Sequence, residues 1–412
     1  MRVHGIAVAA VLAMAFTTPA QDWPQWRGPA RDGAVATTAI PKAWPAKLET
    51  AWRVELGEGY SSPVVSGNRV FVHSRRDPEE LVSAVDLATG KILWQQRYTA
   101  QFAKNQYASK MAKGPNSTPL AIGNRLFTMG VTGVVSAWNP ADGALLWRKD
   151  YSASVDTSKL FCGTAMSPMM EGGAIIVQVG SDIHGGRILA LDPATGAERW
   201  TWRGLGPGYA SPLAINAGNT RLIVAMTEGS IEGLDARTGA SLWSVPFPDE
   251  WHENISTPVW NGSHLFISGP RQGTHAYSIV QAAGKWQVTE VWKNPDVTMY
   301  MSTPVLADGL LYAHSVKKKG QFVALDAATG AVRWATEGRG GEHASILLTP
   351  ANILYLTNGA DLILARRATD KFTEERRYDD IANSETYALP VIVPGALLVR
   401  DSTGLARLKL GS

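Results

Sequence analysis

Apolar residues along this chain fall in short runs, rich in Val, Ile and Leu, which Gly, Asn, Asp and Pro interrupt before a helical period can establish itself. That pattern predicts an all-β protein of many short strands. Two punctuation marks recur with it. The first is an Asp or Asn followed four residues later by Gly and four after that by Trp: Asp86, Gly90 and Trp94; Asn139, Gly143 and Trp147; Asp192, Gly196 and Trp200; Asp235, Gly239 and Trp243; Asp326, Gly330 and Trp334. A degenerate copy at Ala282-Ala283-Gly284, followed by Trp286 and Trp292, fills the one long interval, and a weak copy at Arg366 to Asp370 offers Phe372 as its aromatic. The second mark is Ser or Thr before Pro, then a short apolar strand, a tight turn and another apolar strand. It occurs at Ser62-Pro63, Thr118-Pro119, Ser167-Pro168, Ser211-Pro212, Thr257-Pro258 and Thr303-Pro304, with looser copies near Ser345 and Leu389-Pro390.

Each mark has a mechanical reason. The Asp carboxylate accepts backbone N–H groups in an Asx-turn, and the Gly supplies the positive φ that reverses the chain. Alternation along the next strand sends the Trp to one face, where its large ring wedges against a neighbouring unit. Pro is tolerated at the first position of a strand and not within a central one, so Ser/Thr-Pro fixes where each unit begins. Four strands per unit, at a period of about 40–50 residues, is the signature of a propeller blade. The units number eight. The last, Thr386 to Leu410, lacks an outer strand, whereas Leu48 to Leu56, with Trp52, is an orphan strand ahead of the first unit. The expected fold is therefore an eight-bladed β-propeller of four-stranded antiparallel blades, its ring closed by the N-terminal strand joining the last blade, which removes the exposed edges.

Composition sets the limits around that fold. With 45% hydrophobic and 18% charged residues the chain can bury a continuous core. Residues 1–20, with Arg2, an apolar stretch from Ile6 to Phe16 and a small-residue site before Gln21, read as a signal peptide; 21–47 form a leader, and 48–412 the propeller. No later apolar stretch has membrane-spanning length. Cys162 is the single cysteine, so an intrachain disulfide is excluded, and no Cys stands at the cleavage site to carry a lipid. These features predict an exported, soluble monomer of the periplasm or the cell exterior. A net charge of +3 excludes the strongly basic balance of a nucleic-acid binder. Lys317-Lys318-Lys319 reads as a solvated hairpin tip, and neither a Gly-x-Ser-x-Gly elbow nor a Walker loop is present.

The string from Ala190 to Trp200, with its relatives at 84–94, 137–147, 233–243 and 324–334, resembles the tryptophan-containing repeat of pyrroloquinoline-quinone (PQQ) dependent alcohol dehydrogenases. The same repeat resembles that of BamB, the lipoprotein propeller of bacterial outer-membrane assembly, here without the lipobox cysteine. The segment Asp22 to Pro29, with Arg31-Asp32-Gly33, looks like the N-terminal signature of exported PQQ-like repeat proteins. The dehydrogenase resemblance implies a pair of adjacent cysteines against the quinone, a calcium held by carboxylate and amide oxygens, and a catalytic Asp. Cys162 stands alone, and no run aligns with the calcium ligands or that Asp.

In a propeller the loops leading into the inner strands surround the central channel, so the residues before each Ser/Thr-Pro are the candidate ligand contacts. Tyr60, Lys113, Asn116, Tyr209, His252, Asn254, Tyr300, Glu342, His343 and Glu385 make up that ring, with Met166, Met301 and Glu253 beside them. Such a mixture suits a polar ligand or an extended peptide. His252-Glu253 and Glu342-His343 would make a metal site only by converging across the channel. Trp23 and Trp26 are expected to cap the ring or one of its mouths, and Cys162 reads as a small buried hydrophobe. The expectation is a non-catalytic binding or scaffold propeller of the bacterial cell envelope with a protein or peptide partner and no cofactor; the alternatives are a quinoprotein-type oxidoreductase using PQQ with calcium in the channel, and carbohydrate binding through exposed Trp and Tyr.

Overall fold

The computed structural model describes residues 22–108, 111–155, 160–181 and 185–411; the signal peptide expected at 1–20 lies outside them. Eight four-stranded antiparallel sheets form the blades of a propeller. The first blade comprises Val64–Ser66, Arg69–Arg76, Glu79–Asp86 and Ile92–Thr99, counted from the channel outward. Six more repeat that order within 120–150, 169–204, 213–246, 259–294, 305–335 and 344–378. In the eighth, Val391–Val393, Ala396–Arg400 and Gly404–Lys409 are completed by Glu49–Glu55, so the two ends of the chain share one sheet as the sequence predicts. Arg53 on the N-terminal strand locks that junction, its guanidinium donating 2.7 Å and 3.1 Å hydrogen bonds to the two carboxylate oxygens of Asp401.

Apolar residues from adjacent blades form shared cores. Leu120, Phe127 and Met129 of the second blade, for instance, pack with Ile175, Val177 and Leu189 of the third. Over these interfaces the tryptophans act as keys. The indole N–H of Trp94 donates to the Pro140 carbonyl in the next blade's turn, Trp147 to Pro193, Trp200 to Ala236, Trp292 to Ala327, and Trp52 of the closing strand to Leu87. Each ring lies on the glycine of that turn. A Cβ on Gly239 would meet Trp200 at 2.4 Å, and one on Gly330 would meet Trp292 at 2.4 Å. The repeat's Gly therefore serves twice, for its positive φ and as the seat of an indole.

Two positions depart from the repeat. The hairpin of the fifth blade has ten-residue outer strands, Gly273–Ala282 and Lys285–Asn294, which carry its turn outward; Trp243 consequently finds no acceptor for its buried N–H. Trp292, not Trp286, occupies the key position, opposite Ala276 before the register shift. In the seventh blade Phe372 does not take the aromatic role expected for it. Register puts Arg376 there, opposite Leu364 and next to the bulge, and its guanidinium reaches the Pro45 carbonyl beside the closing strand. Phe372 stacks instead on Phe322 and packs at an angle against Trp334.

Ser/Thr-Pro also does more than start strands. The N–H of Ser62 donates to Thr118 Oγ1 (3.2 Å), Thr118 to Ser167 Oγ (3.0 Å), Ser167 to Ser211 Oγ (2.9 Å), Ser211 to Thr257 Oγ1 (3.1 Å) and Thr257 to Thr303 Oγ1 (3.1 Å). Leu389, where the motif has lost its hydroxyl, still donates its N–H to Ser62 Oγ at 2.8 Å. Ser302 and Ser345 carry the belt across the sixth, seventh and eighth blades. The hydroxyls of Ser62, Thr118, Ser167, Ser211, Thr257 and Thr303 each satisfy a buried backbone donor of the preceding blade, Ser302 takes one from the following blade and Ser345 donates to the Ala388 carbonyl, and together they encircle the channel.

Inside that belt runs the leader. Trp23 exchanges both backbone hydrogen bonds with Val65 of the first blade, and Pro24 accepts from Ala121 N–H of the second. Arg31 donates to the carbonyls of Pro168 and Pro212, Arg27 to those of Thr303 and Pro304, and Gly33 and Val35 bond Leu348. One segment thereby touches the inner strands of the first, second, third, fourth, sixth and seventh blades, which is possible only from within the channel. Trp23 and Trp26 therefore belong to a plug. Burial lowers the pKa of Arg27 to about 10 and that of Arg31 to about 9, and both remain cationic at neutral pH.

Three outcomes follow from these contacts. Gly239→Ala should lose about 3 kcal/mol in chemical denaturation, because backbone strain and overlap with Trp200 add, whereas Gly218→Ala, at a positive φ with nothing within 4 Å, should lose about 1 kcal/mol; equal losses would refute the seating role. Trp23→Ala should cost about 3–5 kcal/mol, but Trp23→Phe far less, since it deletes a buried N–H that has no acceptor. Burial pushes the Asp401 carboxyl pKa up, yet Arg53 and the N–H groups of Gly404, Asn383 and Thr403 outweigh it and hold the pKa below the usual value. A depressed carboxyl pKa stabilises the fold above the unfolded value of about 3.9, and that contribution is lost as pH falls through the folded pKa. Asp401→Asn should cost about 2–3 kcal/mol at pH 7 and flatten the acid limb of a melting-temperature profile below about pH 4.

Candidate functional site

Because the plug fills one end of the channel, what remains is a blind cup of about 550 Å³, open on the face where the blade connections gather. Trp26 forms its floor, and the belt hydroxyls of Ser62, Ser167, Ser211, Thr257 and Thr303 ring the lower wall. Above them stand Tyr60, Asn116, Tyr209, Tyr300, Glu342 and His343, six of the ten residues that the sequence points to, together with Met301 and Glu253. Backbone geometry explains the convergence. Most of these side chains come within a few residues of a Ser/Thr-Pro, so the same start of an inner strand aims each at the axis.

The other four lie elsewhere, each for a visible reason. Lys113 turns away to pair with Asp77. His252 sits at positive φ on the surface, its Nδ1 3.0 Å from Glu228. Asn254 is fully buried, and its amide donates to the carbonyls of Thr227, Glu228 and Phe247, which makes it a loop clamp. Glu385 is exposed beside the rim. Met166 is wholly buried in the core between the second and third blades. The split between His252 and Glu253 also dissolves the metal reading, and among the described residues no three His, Cys, Asp or Glu side chains converge.

Phe161, Tyr107 and Met111 line the cup without any signal from the repeat, whereas Tyr387 stands two residues before Leu389 as Tyr60 stands before Ser62, so the looser copy there pointed to it. Tyr107, Met111 and Phe161 belong to the two connections at 100–119 and 151–168, which are long for links between successive blades. That length was the one available pointer. Cys162 lies beside Phe161, half-buried in the cup wall and not wholly buried as expected, and burial pushes its thiol up to about 12, so it stays protonated at neutral pH.

Hydrogen bonds fix much of the wall. Tyr300 donates to Glu253 Oε1 at 2.5 Å, and Arg271 pairs with the other Glu253 oxygen at 3.1 Å while also holding Asp249. The Tyr209 hydroxyl accepts the Phe161 N–H at 2.8 Å. His343 lies between Ser302 and Ser345, each 3.2 Å from a ring nitrogen, and stacks on Tyr387. Burial lowers the His343 pKa to about 3, which keeps it neutral, and raises Tyr60 to about 12. Tyr209, Tyr300 and Tyr387 are raised for the same reason. These phenols, the imidazole and the thiol thus hold their neutral forms at physiological pH, and the cup offers rings, hydroxyls and two carboxylates.

The fit of a quinone with calcium is poor. The resemblance calls for adjacent cysteines and a calcium cage; one thiol stands in the wall, and the only carboxylates in the lining, Glu253 and Glu342, have no third acidic partner among the described residues. A planar ring would find a floor in Trp26, but nothing to clamp it.

Comparison with known proteins places the chain. It is 27% identical over 356 residues to the outer membrane protein assembly factor BamB of Moranella endobia, covering 84% of this chain and 74% of that protein. The crystal structure of BamB from Moraxella catarrhalis superposes with a TM-score of 0.59 at 16% identity, over 88% of this chain and 99% of the other. Quinohemoprotein alcohol dehydrogenase from Comamonas testosteroni superposes with a TM-score of 0.67 at 14% identity, over 95% and 81%. At such identities the two structural likenesses speak for the propeller fold alone. The model of the family described as outer membrane protein assembly factor BamB matches residues 43–112 and 78–336, well over half of the sequence. The chain therefore belongs to the BamB family.

Proposed function

We propose that the protein is a non-catalytic binding or scaffold propeller of the bacterial cell envelope that holds a protein or peptide partner at the open face of its cup. One observation carries this reading: the cup concentrates aromatic rings and hydroxyls, and burial holds its thiol, its imidazole and the phenols on its wall in their neutral forms. Such a wall can stack on and hydrogen-bond to a guest, whereas its thiol and imidazole, held neutral, are poorly suited to act as nucleophile or general base near neutral pH. Membership of the BamB family supports a partner among proteins bound for the outer membrane. The face around the cup also exposes Tyr107, Leu205 and Trp251, which suits contact with polypeptide. No helix among the described residues is long and apolar enough to cross a membrane.

The test pairs two measurements. Fluorescence polarisation with a labelled, unfolded outer-membrane β-barrel polypeptide should show saturable binding, weakened roughly tenfold or more when Tyr60 and Tyr300 are both changed to Ala. Added PQQ with calcium should leave the melting temperature unchanged and give no dye reduction with alcohols or sugars. Absence of polypeptide binding, or a quinone-dependent rise in melting temperature with dye reduction, would overturn the reading.

A further inference from the structure

The two carboxylates of the cup differ in a way that assigns a ligand. Glu253 is neutralised by Arg271 and accepts from Tyr300, so its charge is already spoken for. Glu342 is not: its backbone N–H bonds Asn358, but its carboxylate has no hydrogen bond or ion pair among the described residues. Among the described residues, no Lys or Arg lines the cup. Beside Glu342 stand Tyr60 and Tyr387, edge to face with centroids 4.9 Å apart, and the exposed Glu385 adds negative potential close enough to raise both phenols. Rings at an angle next to an unpaired carboxylate are the chemistry that holds an organic cation, since ring faces attract positive charge and the carboxylate fixes its position.

The floor argues for where the cation sits. Arg27 and Arg31 lie against Trp26 at 5.6 Å and 5.8 Å from its ring, so a cation laid on that indole would face two guanidinium charges beneath it. Arg27 and Arg31 bond at the third, fourth and sixth blades, away from the wall formed by the loops into the first, seventh and eighth; the guanidinium behind that wall, Arg400, is buried on the Gly57 and Gly59 carbonyls with Asp401 beside it. We propose that this wall, made by Tyr60, Tyr387 and Glu342, is the seat of an ammonium or guanidinium group, carried by a small amine or by a Lys or Arg side chain of a bound peptide. The seat deepens the binding reading above and rests on it for the peptide source.

Calorimetric titration of the full chain with n-butylammonium, butylguanidinium, n-butanol and butyrate provides the test. The two cations should bind with dissociation constants in the millimolar range or below, the alcohol and the anion at least about tenfold more weakly, and 0.5 M NaCl should weaken the cations. Glu342→Gln, which breaks no contact in the structure, should leave the melting temperature unchanged and reduce cation affinity roughly five- to tenfold, with Tyr387→Leu acting in the same direction. A pentapeptide with a central lysine is then compared with its norleucine counterpart. Preference for lysine that disappears in Glu342→Gln identifies the peptide source. Binding of butylammonium without either peptide supports the cation seat with a small amine as its guest and counts against the polypeptide reading. Equal binding of both peptides, unaffected by Glu342→Gln, overturns the seat while leaving the polypeptide reading intact, and failure of both small cations to bind overturns it outright.

Discussion

A closed wheel of blades abolishes the outer edges of its sheets but creates a new problem at the hub, where every inner strand turns its unpaired side toward its neighbours across a narrow channel. Backbone donors and acceptors there are too far from bulk water to be left alone. This chain satisfies them twice over. The belt of Ser and Thr hydroxyls takes up N–H groups around the ring, and the Arg-bearing leader delivers guanidinium and backbone groups to the strands from inside. The cup exists because the second solution fills only one end of the channel.

That economy explains the unusual state of Arg27 and Arg31. A buried guanidinium without a carboxylate partner is costly, and both feel it as a lowered pKa. Their planar, multiply donating heads nevertheless match converging carbonyls that few other side chains reach together. Trp26 covers them, so the plug shows the cup an indole instead of two bare charges. The leader is thus a structural member whose outward surface belongs to the site.

Blade number, ring closure and the wedge role of Trp were legible because each rests on a local rule repeated many times: an Asx-turn, a glycine at positive φ, a Trp at fixed offset. The errors fell where the repeat decays. Phe372 was the nearest aromatic to a degraded turn, but the bulge register gives the key position to Arg376, and register is set by pairing that a one-dimensional spacing does not contain. The site was half legible for a related reason. Residues close to Ser/Thr-Pro inherit their direction from the strand, so Tyr60, Tyr209 and Tyr300 arrive where expected. Lys113, His252 and Asn254 sit in stretches whose path is decided by local partners, namely Asp77, Glu228 and three carbonyls.

The same logic separates fold from chemistry in the family to which the chain belongs. Asp of the repeat is engaged within its own turn, and Gly and Trp between blades, so their arrangement is indifferent to what lies on the axis. Function has to reside in what the repeat leaves unspecified: the long connections at 100–119 and 151–168, the leader, and the residues just ahead of each inner strand. In this chain those three sources meet in one cup with a carboxylate, Glu342, that has no partner among the described residues. A solvent-facing charge without a protein partner at the wall of a concave aromatic site is open to a guest, which makes the hub of the wheel, and not its blades, the part where selectivity is built.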